Sequence, residues 1–235
     1  MFFARPKVLN DPFDTSEKFI LPYSHFCEKI GWKNESAEAF GRHGIFCMSR
    51  GDDNERGPKN RHLWSLYASN YSGFVVEFNE QLLADYFSSK FIMMEDVNYV
   101  DTPFNLDDDY SAFSLDSLGN KTYTVGYCFE EDQEHRLDHL FRYLHLHKEK
   151  GVWEVEHECR AIIGNIVSKN CQVVGDVGYY LEIPSNSIKS LYIGYKMKAT
   201  YRKRLARIAR TLNCPVFSVE PMIIDQKWDM DILQL

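Results

Sequence analysis

Runs of apolar residues change period along this chain, and the changes mark out its elements. Residues 2–6, FFARP, read as a short strand ending at Pro6, whose ring holds Arg5 extended. Asn10 and Asp11 are turn formers ahead of Pro12. Residues 15–42 read as helix, with Asp14 or Thr15 as N-cap and Gly31 as an interruption. Residues 44–49 are a second apolar strand, opening into a polar loop over 50–62 that reads as a mobile flap. Residues 62–68 carry apolar side chains at helical spacing, so they predict a short buried helix. An interior strand follows at 74–78, a helix from Glu80 to about Ser88, and a strand pair near 91–100. Residues 101–120 have no period and many acids, which makes them loop.

The clearest helical period lies at 130–150, where Leu137, Leu140, Phe141 and Leu144 recur at i, i+3, i+4 and i+7. Its acidic start and His/Lys-rich end suit the helix dipole. Further strands are expected at 171–174, 179–183 and 190–194. A basic amphipathic helix over 200–212 and a strand at 215–219 then form a crossover with parallel strands. Irregular mixing of strands and helices gives an α+β class: one domain over residues 1–235, with a small mixed central sheet flanked by helices.

One stretch departs from ordinary patterning. After Gly151, the segment WEVEHECRAII reads as a strand with Glu154, Glu156 and Glu158 at every second position, all projecting to one face. Arg160 extends the charged face, and Ala161, Ile162 and Ile163 turn wholly apolar, as a strand does on entering a core. Like charges two residues apart repel. Such a strand is either an edge guarded against pairing or a site.

Composition narrows the classes without choosing one. The 235 residues are 44% hydrophobic and 14% aromatic, enough for a full core and against global disorder. No apolar run reaches membrane-spanning length, and the first residues lack the apolar core of a secretory signal. Six scattered cysteines, without metal-ligand spacing, fit buried thiols in a cytoplasmic protein. Net charge is −7, yet residues 183–219 contain no acid while Lys189, Lys196, Lys198, Arg202, Lys203, Arg204, Arg207 and Arg210 are basic. That segment can bind an anionic partner, but a solvated helix face balancing an acidic body is the preferred reading.

Four signatures occur in order: FxxPxxLNDPFD, FCMS, LWSLYASNYSGFVVEF and KEKGVWEVEHECRAII, closed by IKSLYIGYK. Together they resemble the bacterial domain-of-unknown-function 2971 family over nearly the whole chain. The family usually begins with an additional N-terminal strand before the first signature, which is missing or cropped here. Its Asp-x-His-x-Gly reads Ser69-Asn70-Tyr71-Ser72-Gly73 here, so no role for that His carries over. The resemblance suggests an effector-like protein, with a setting in toxin action or phage defence, but implies no chemistry.

The chemistry must come from residues. An ADP-ribosyltransferase-like site places a basic residue early, a Ser-bearing strand next and Glu-x-Glu late; Arg5, Ser49 and Glu156-His157-Glu158 follow that order. Glu158 would stabilise the oxocarbenium formed as the nicotinamide–ribose bond of NAD breaks, and Glu156 would orient or deprotonate the acceptor, a protein or a nucleic acid. Arg5 would pair with the pyrophosphate. Trp64 or Tyr67 would wall the nicotinamide. A second reading makes Glu154, Glu156 and Glu158 ligands of Mg²⁺ in a nuclease or phosphodiesterase, joined by Asp11 or Asp14. A third is a non-enzymatic module gripping a partner through Asn10, Asp11 and the 50–62 loop. His135 and His139, at i and i+4, read as solvated rather than metal-binding.

Overall fold

The computed structural model describes residues 1–11, 40–51, 57–102, 142, 144–168, 171–224 and 226–235. The expected helix over 15–42 up to Ala39, the 101–120 loop beyond Thr102, most of the 130–150 helix and His135 and His139 lie outside them, as does the middle of the 50–62 loop. Mixed α and β elements make the fold α+β. Its strands are β1 (Phe2–Ala4), β2 (Gly44–Ser49), β3 (Phe74–Phe78), β4 (Met93–Asp96), β5 (Asn98–Val100), β6 (His147–Glu149), β7 (Glu158–Ile163), β8 (Gln172–Val174), β9 (Gly178–Tyr180), β10 (Ile188–Gly194), β11 (Val216–Ile224) and β12 (Lys227–Gln234). The helices are α1 (Arg61–Leu66), α2 (Glu80–Ser89), α3 (Lys150–Trp153), α4 (Asn165–Ser168) and α5 (Ala199–Leu212). No described helix is long and apolar enough to cross a membrane.

Where one small central sheet was expected, the described strands form three sheets, and the chain gathers into two compact units. The first takes Met1–Met48, Lys90–Glu154 and Cys159–Leu181; the second takes Ser49–Ser89, Val155–Glu158 and Glu182–Leu235. Each unit is entered three times, so no single linker marks a boundary in the composition.

The first unit is built on a six-stranded sheet ordered β4-β7-β2-β1-β9-β8. β1 runs antiparallel to both neighbours, with Ala4 opposite Ile45 and Phe3 opposite Tyr179. A Cβ on Gly178 would lie 2.2 Å from the Phe3 carbonyl oxygen, so β9 can approach β1 this closely only as glycine. Lying between β4 and β2, β7 is interior and buried along its whole length, which removes the edge-guarding reading of its charges. Arg160, expected on a charged face, is fully buried and donates to the His145 carbonyl at 2.6 Å. Beside this sheet β5 and β6 pair in parallel. β6 occupies residues expected to be helical: within it Lys148 is buried between partly buried His147 and exposed Glu149, as alternation across a strand requires.

The second unit holds a four-stranded sheet ordered β12-β11-β10-β3. β10 and β11 are parallel, as the crossover requires, and α5 connects them. Alternation along β10 sends Leu191 and Ile193 under α5, against Met197, Leu205 and Ala209. On the other face Tyr192 packs with Trp64 and Ala68, together with Val219 and Met230. β3, expected inside, is an edge strand antiparallel to β10. The sequence pattern also stopped short: β11 continues to Ile224 and returns as β12 in a hairpin. α5 ends where Asn213 adopts left-handed φ 53° and its N–H caps the carbonyls of Ala209 and Arg210, with Pro215 two residues on.

Candidate active site

The second unit holds five of the residues singled out in the sequence: Ser49, Trp64, Tyr67, Glu156 and Glu158. Asn60 starts the construction. Its side-chain oxygen accepts from the N–H groups of His62 and Leu63 and caps α1, while its amide donates to the Val155 carbonyl at 2.7 Å. The Ser49 hydroxyl donates to the Glu156 carbonyl at 2.7 Å, and the Arg50 N–H to the His157 carbonyl at 2.9 Å. Three consecutive carbonyls, 155 to 157, are thus held by side chains and backbone of other segments.

That bonding explains why the expected Glu154–Glu158 strand does not form. α3 covers Lys150–Trp153, a 3₁₀ turn covers Glu154–Glu156, and His157 takes φ 46°, which breaks the extended geometry that alternation needs. Glu154 is exposed, whereas Glu156 and Glu158 are 4% and 5% exposed. The three carboxylates therefore do not share a face. Among the described residues no group of three His, Cys, Asp or Glu could hold a metal, so the three-glutamate Mg²⁺ site loses its geometric support.

At the other end of α1, Tyr67 is its C-cap and donates its hydroxyl to the Glu156 carboxylate at 2.6 Å. Tyr67 nonetheless keeps 51% of its surface exposed. It leads into Ser69, Asn70 and Tyr71, all with φ near +50 to +66°. Successive non-glycine residues in the left-handed region are strained, and here bonds from Asn70, Tyr71 and Gly73 N–H groups back to α1 and its end hold them. Trp64 does not suit the expected nicotinamide wall. It is fully buried, donates its indole N–H to the Pro58 carbonyl at 2.6 Å and stacks on Tyr71. Tyr67 is left as the aromatic surface beside the carboxylate.

Arg5, Asn10 and Asp11 belong to the first unit. Because β1 and β2 are antiparallel with Ala4 opposite Ile45, Arg5 leaves where β2 begins, while Ser49 is where β2 finishes. The ordered Arg–Ser–Glu triple is therefore not gathered at one end of those strands. The Arg5 guanidinium instead lies 5.4 Å from the Tyr179 ring centre. Asn10 is exposed and Asp11 buried. The sequence reading missed Arg50, which ion-pairs with Glu80 in the second unit, and Asn60. An Asn immediately before a helical apolar run was the signal for the second.

The same unit contains another carboxylate centre. Glu77 on β3 lies opposite Ser190 and accepts from Lys189 at 2.6 Å, from the Ser190 hydroxyl, and from the Tyr192 hydroxyl at 2.8 Å. Burial alone would raise the Glu77 carboxyl, but these hydrogen bonds outweigh it and hold it below its ordinary range. Of the four described cysteines, Cys159 is buried, Cys47 exposed and the other two partly buried, and none is in a disulfide; uniform burial of thiols does not hold. Compared with known proteins, the chain matches no family model, no curated protein and no solved structure.

Proposed function

We propose that this chain is an effector-like enzyme of the ADP-ribosyltransferase kind, related to the domain-of-unknown-function 2971 proteins it resembles and suited to toxin action or phage defence. The observation that carries the reading is the half-exposed Tyr67 with its hydroxyl on the buried Glu156 carboxylate. A ring reaching from solvent to a fixed carboxylate offers a stacking surface and a charge together, as a nicotinamide riboside requires.

In this reading the bond between nicotinamide nitrogen and ribose carbon breaks, and nicotinamide leaves with the bonding electrons. Glu158, two residues beyond Glu156, stabilises the positive charge left on the ribose; the low exposure of its carboxylate strengthens that interaction. The acceptor's nucleophile then bonds to the ribose carbon, and Glu156 takes the proton it releases. Arg50, whose backbone N–H bonds the His157 carbonyl in the same unit, takes the pyrophosphate in place of Arg5. NAD is the co-substrate, and the acceptor is a macromolecule.

The test is nicotinamide release from NAD by the purified chain, alone and with cell extract. Release that requires the protein supports the reading. Absence of turnover with and without extract would leave the bonded cluster as a structural clamp in a binding module.

A further inference from the structure

The segment without acids, residues 183–219, takes a definite form in the second unit. α5 buries Leu205 and Ala209. At about 100° per residue, Lys203, Arg204, Arg207 and Arg210 all fall within roughly a third of a turn on the opposite, outward side, and all four are exposed. Arg202 is different: it faces sideways and its guanidinium bonds the carbonyls of Gly194, Tyr195 and Met197, so its charge is spent on the β10–α5 turn. None of Lys198, Lys203, Arg204, Arg207 and Arg210 has an ion-pair partner among the described residues.

A helix face kept only for solubility mixes signs, because opposite charges at i+3 and i+4 support the helix and like charges oppose it. Here Lys203 and Arg207 are i, i+4, and Arg204, Arg207 and Arg210 follow at i, i+3 and i+6. The face is self-repelling, and a polyanion would relieve it. The four cations span about 10 Å along the axis, room for several phosphates of one strand.

Aromatic rings flank this face at its start. Tyr201 is 57% exposed, and Tyr195 is partly exposed beside Tyr71, with the Lys196 ammonium 5.3 Å from its ring centre. Exposed rings beside a cationic track suit unstacked bases, which duplexes do not offer. We propose that the outward face of α5, with Tyr195 and Tyr201, binds single-stranded nucleic acid. This stands apart from the NAD reading and uses none of its residues.

Fluorescence anisotropy with a labelled oligothymidylate about 20 nucleotides long tests it, against a duplex of equal length and a poly-glutamate competitor. Binding is expected to weaken with salt at a slope of about −3 in log affinity against log concentration, from four phosphate contacts at about 0.7 each. The combined Lys203→Glu, Arg207→Glu, Arg210→Glu variant should lose at least about tenfold in affinity with unchanged melting, its side chains being exposed and without an ion pair among the described residues. Tyr201→Ala should weaken the single strand several-fold and leave the salt slope in place. No binding at low salt, tighter binding of the duplex, equal displacement by poly-glutamate, or unchanged affinity in the charge-reversal variant would each overturn the proposal.

Discussion

Glu77 and Glu156, both in the second unit, each accept a tyrosine hydroxyl, from Tyr192 and Tyr67 respectively. Glu77 sits on a paired strand with Ser190 directly opposite and Tyr192 two residues further along β10, while Lys189 lies at a register shift between Ile188 and Ser190. A cation among those partners balances its charge. Glu156 sits in a 3₁₀ turn before a left-handed His157, its carbonyl anchored by the Ser49 hydroxyl, and its tyrosine is half exposed at a strained chain reversal. Sheet geometry accounts for the first carboxylate and not for the second. Local rules that fail at a partly open site point to function, and the two centres serve as control and test of each other.

The largest divergence is expected between Glu156→Gln and Glu77→Gln. The first should lower nicotinamide release by about 100-fold, within the span for general acid–base groups. The second should leave release unchanged and instead remove stability, by about 1 kcal/mol at neutral pH. The sign follows from linkage: Glu77 is held below its ordinary range when folded, so its stabilisation is complete above the unfolded value and is lost as pH falls through the folded one. Melting curves should therefore separate wild type from Glu77→Gln at neutral pH and converge in acid below the ordinary carboxylate range. A gap that widens in acid would contradict the assignment.

A smaller contrast is expected between Tyr67→Phe and Tyr192→Phe. Each loses one hydroxyl bond to a carboxylate, worth about 1 to 2 kcal/mol. Tyr192 is in the core, so its change should appear in melting; Tyr67→Phe should appear in turnover, about tenfold, with the wall for the ring retained. Equal effects of both on melting and none on turnover would make the two centres alike. Smallest of all, exposed Glu154→Gln should shift stability by about 0.5 kcal/mol or less and leave activity intact.

Much of the second unit's sheet was legible because burial follows period there. Leu191 and Ile193 alternate with Ser190 and Tyr192, and Leu205 and Ala209 mark one side of α5, so strand, helix and crossover could be read. β12 carries the same signal, Met230 and Ile232 alternating with Asp229 and Asp231. The Glu154–Glu158 segment was not readable, because its carbonyls are taken by Ser49, Arg50 and Asn60, residues about 100 positions earlier. An alternating sequence states a preference, and those tertiary bonds override it. Likewise the order Arg5, Ser49, Glu156 and Glu158 was visible, but the antiparallel register that sends Arg5 to the far end of β2 was not. Trp64 and Tyr67 looked equivalent at helical spacing; burial alone tells the core ring from the surface one.

Nicotinamide release by wild type and by Glu158→Gln, followed in one assay with melting measured in parallel, addresses the central claim most directly. Substituting the carboxylate by its amide keeps the shape and removes the charge opposed to the developing cation. Wild-type protein should release nicotinamide from NAD, and the variant should do so at least about 100-fold more slowly while still folding. Release that persists undiminished in a folded Glu158→Gln variant would contradict the account.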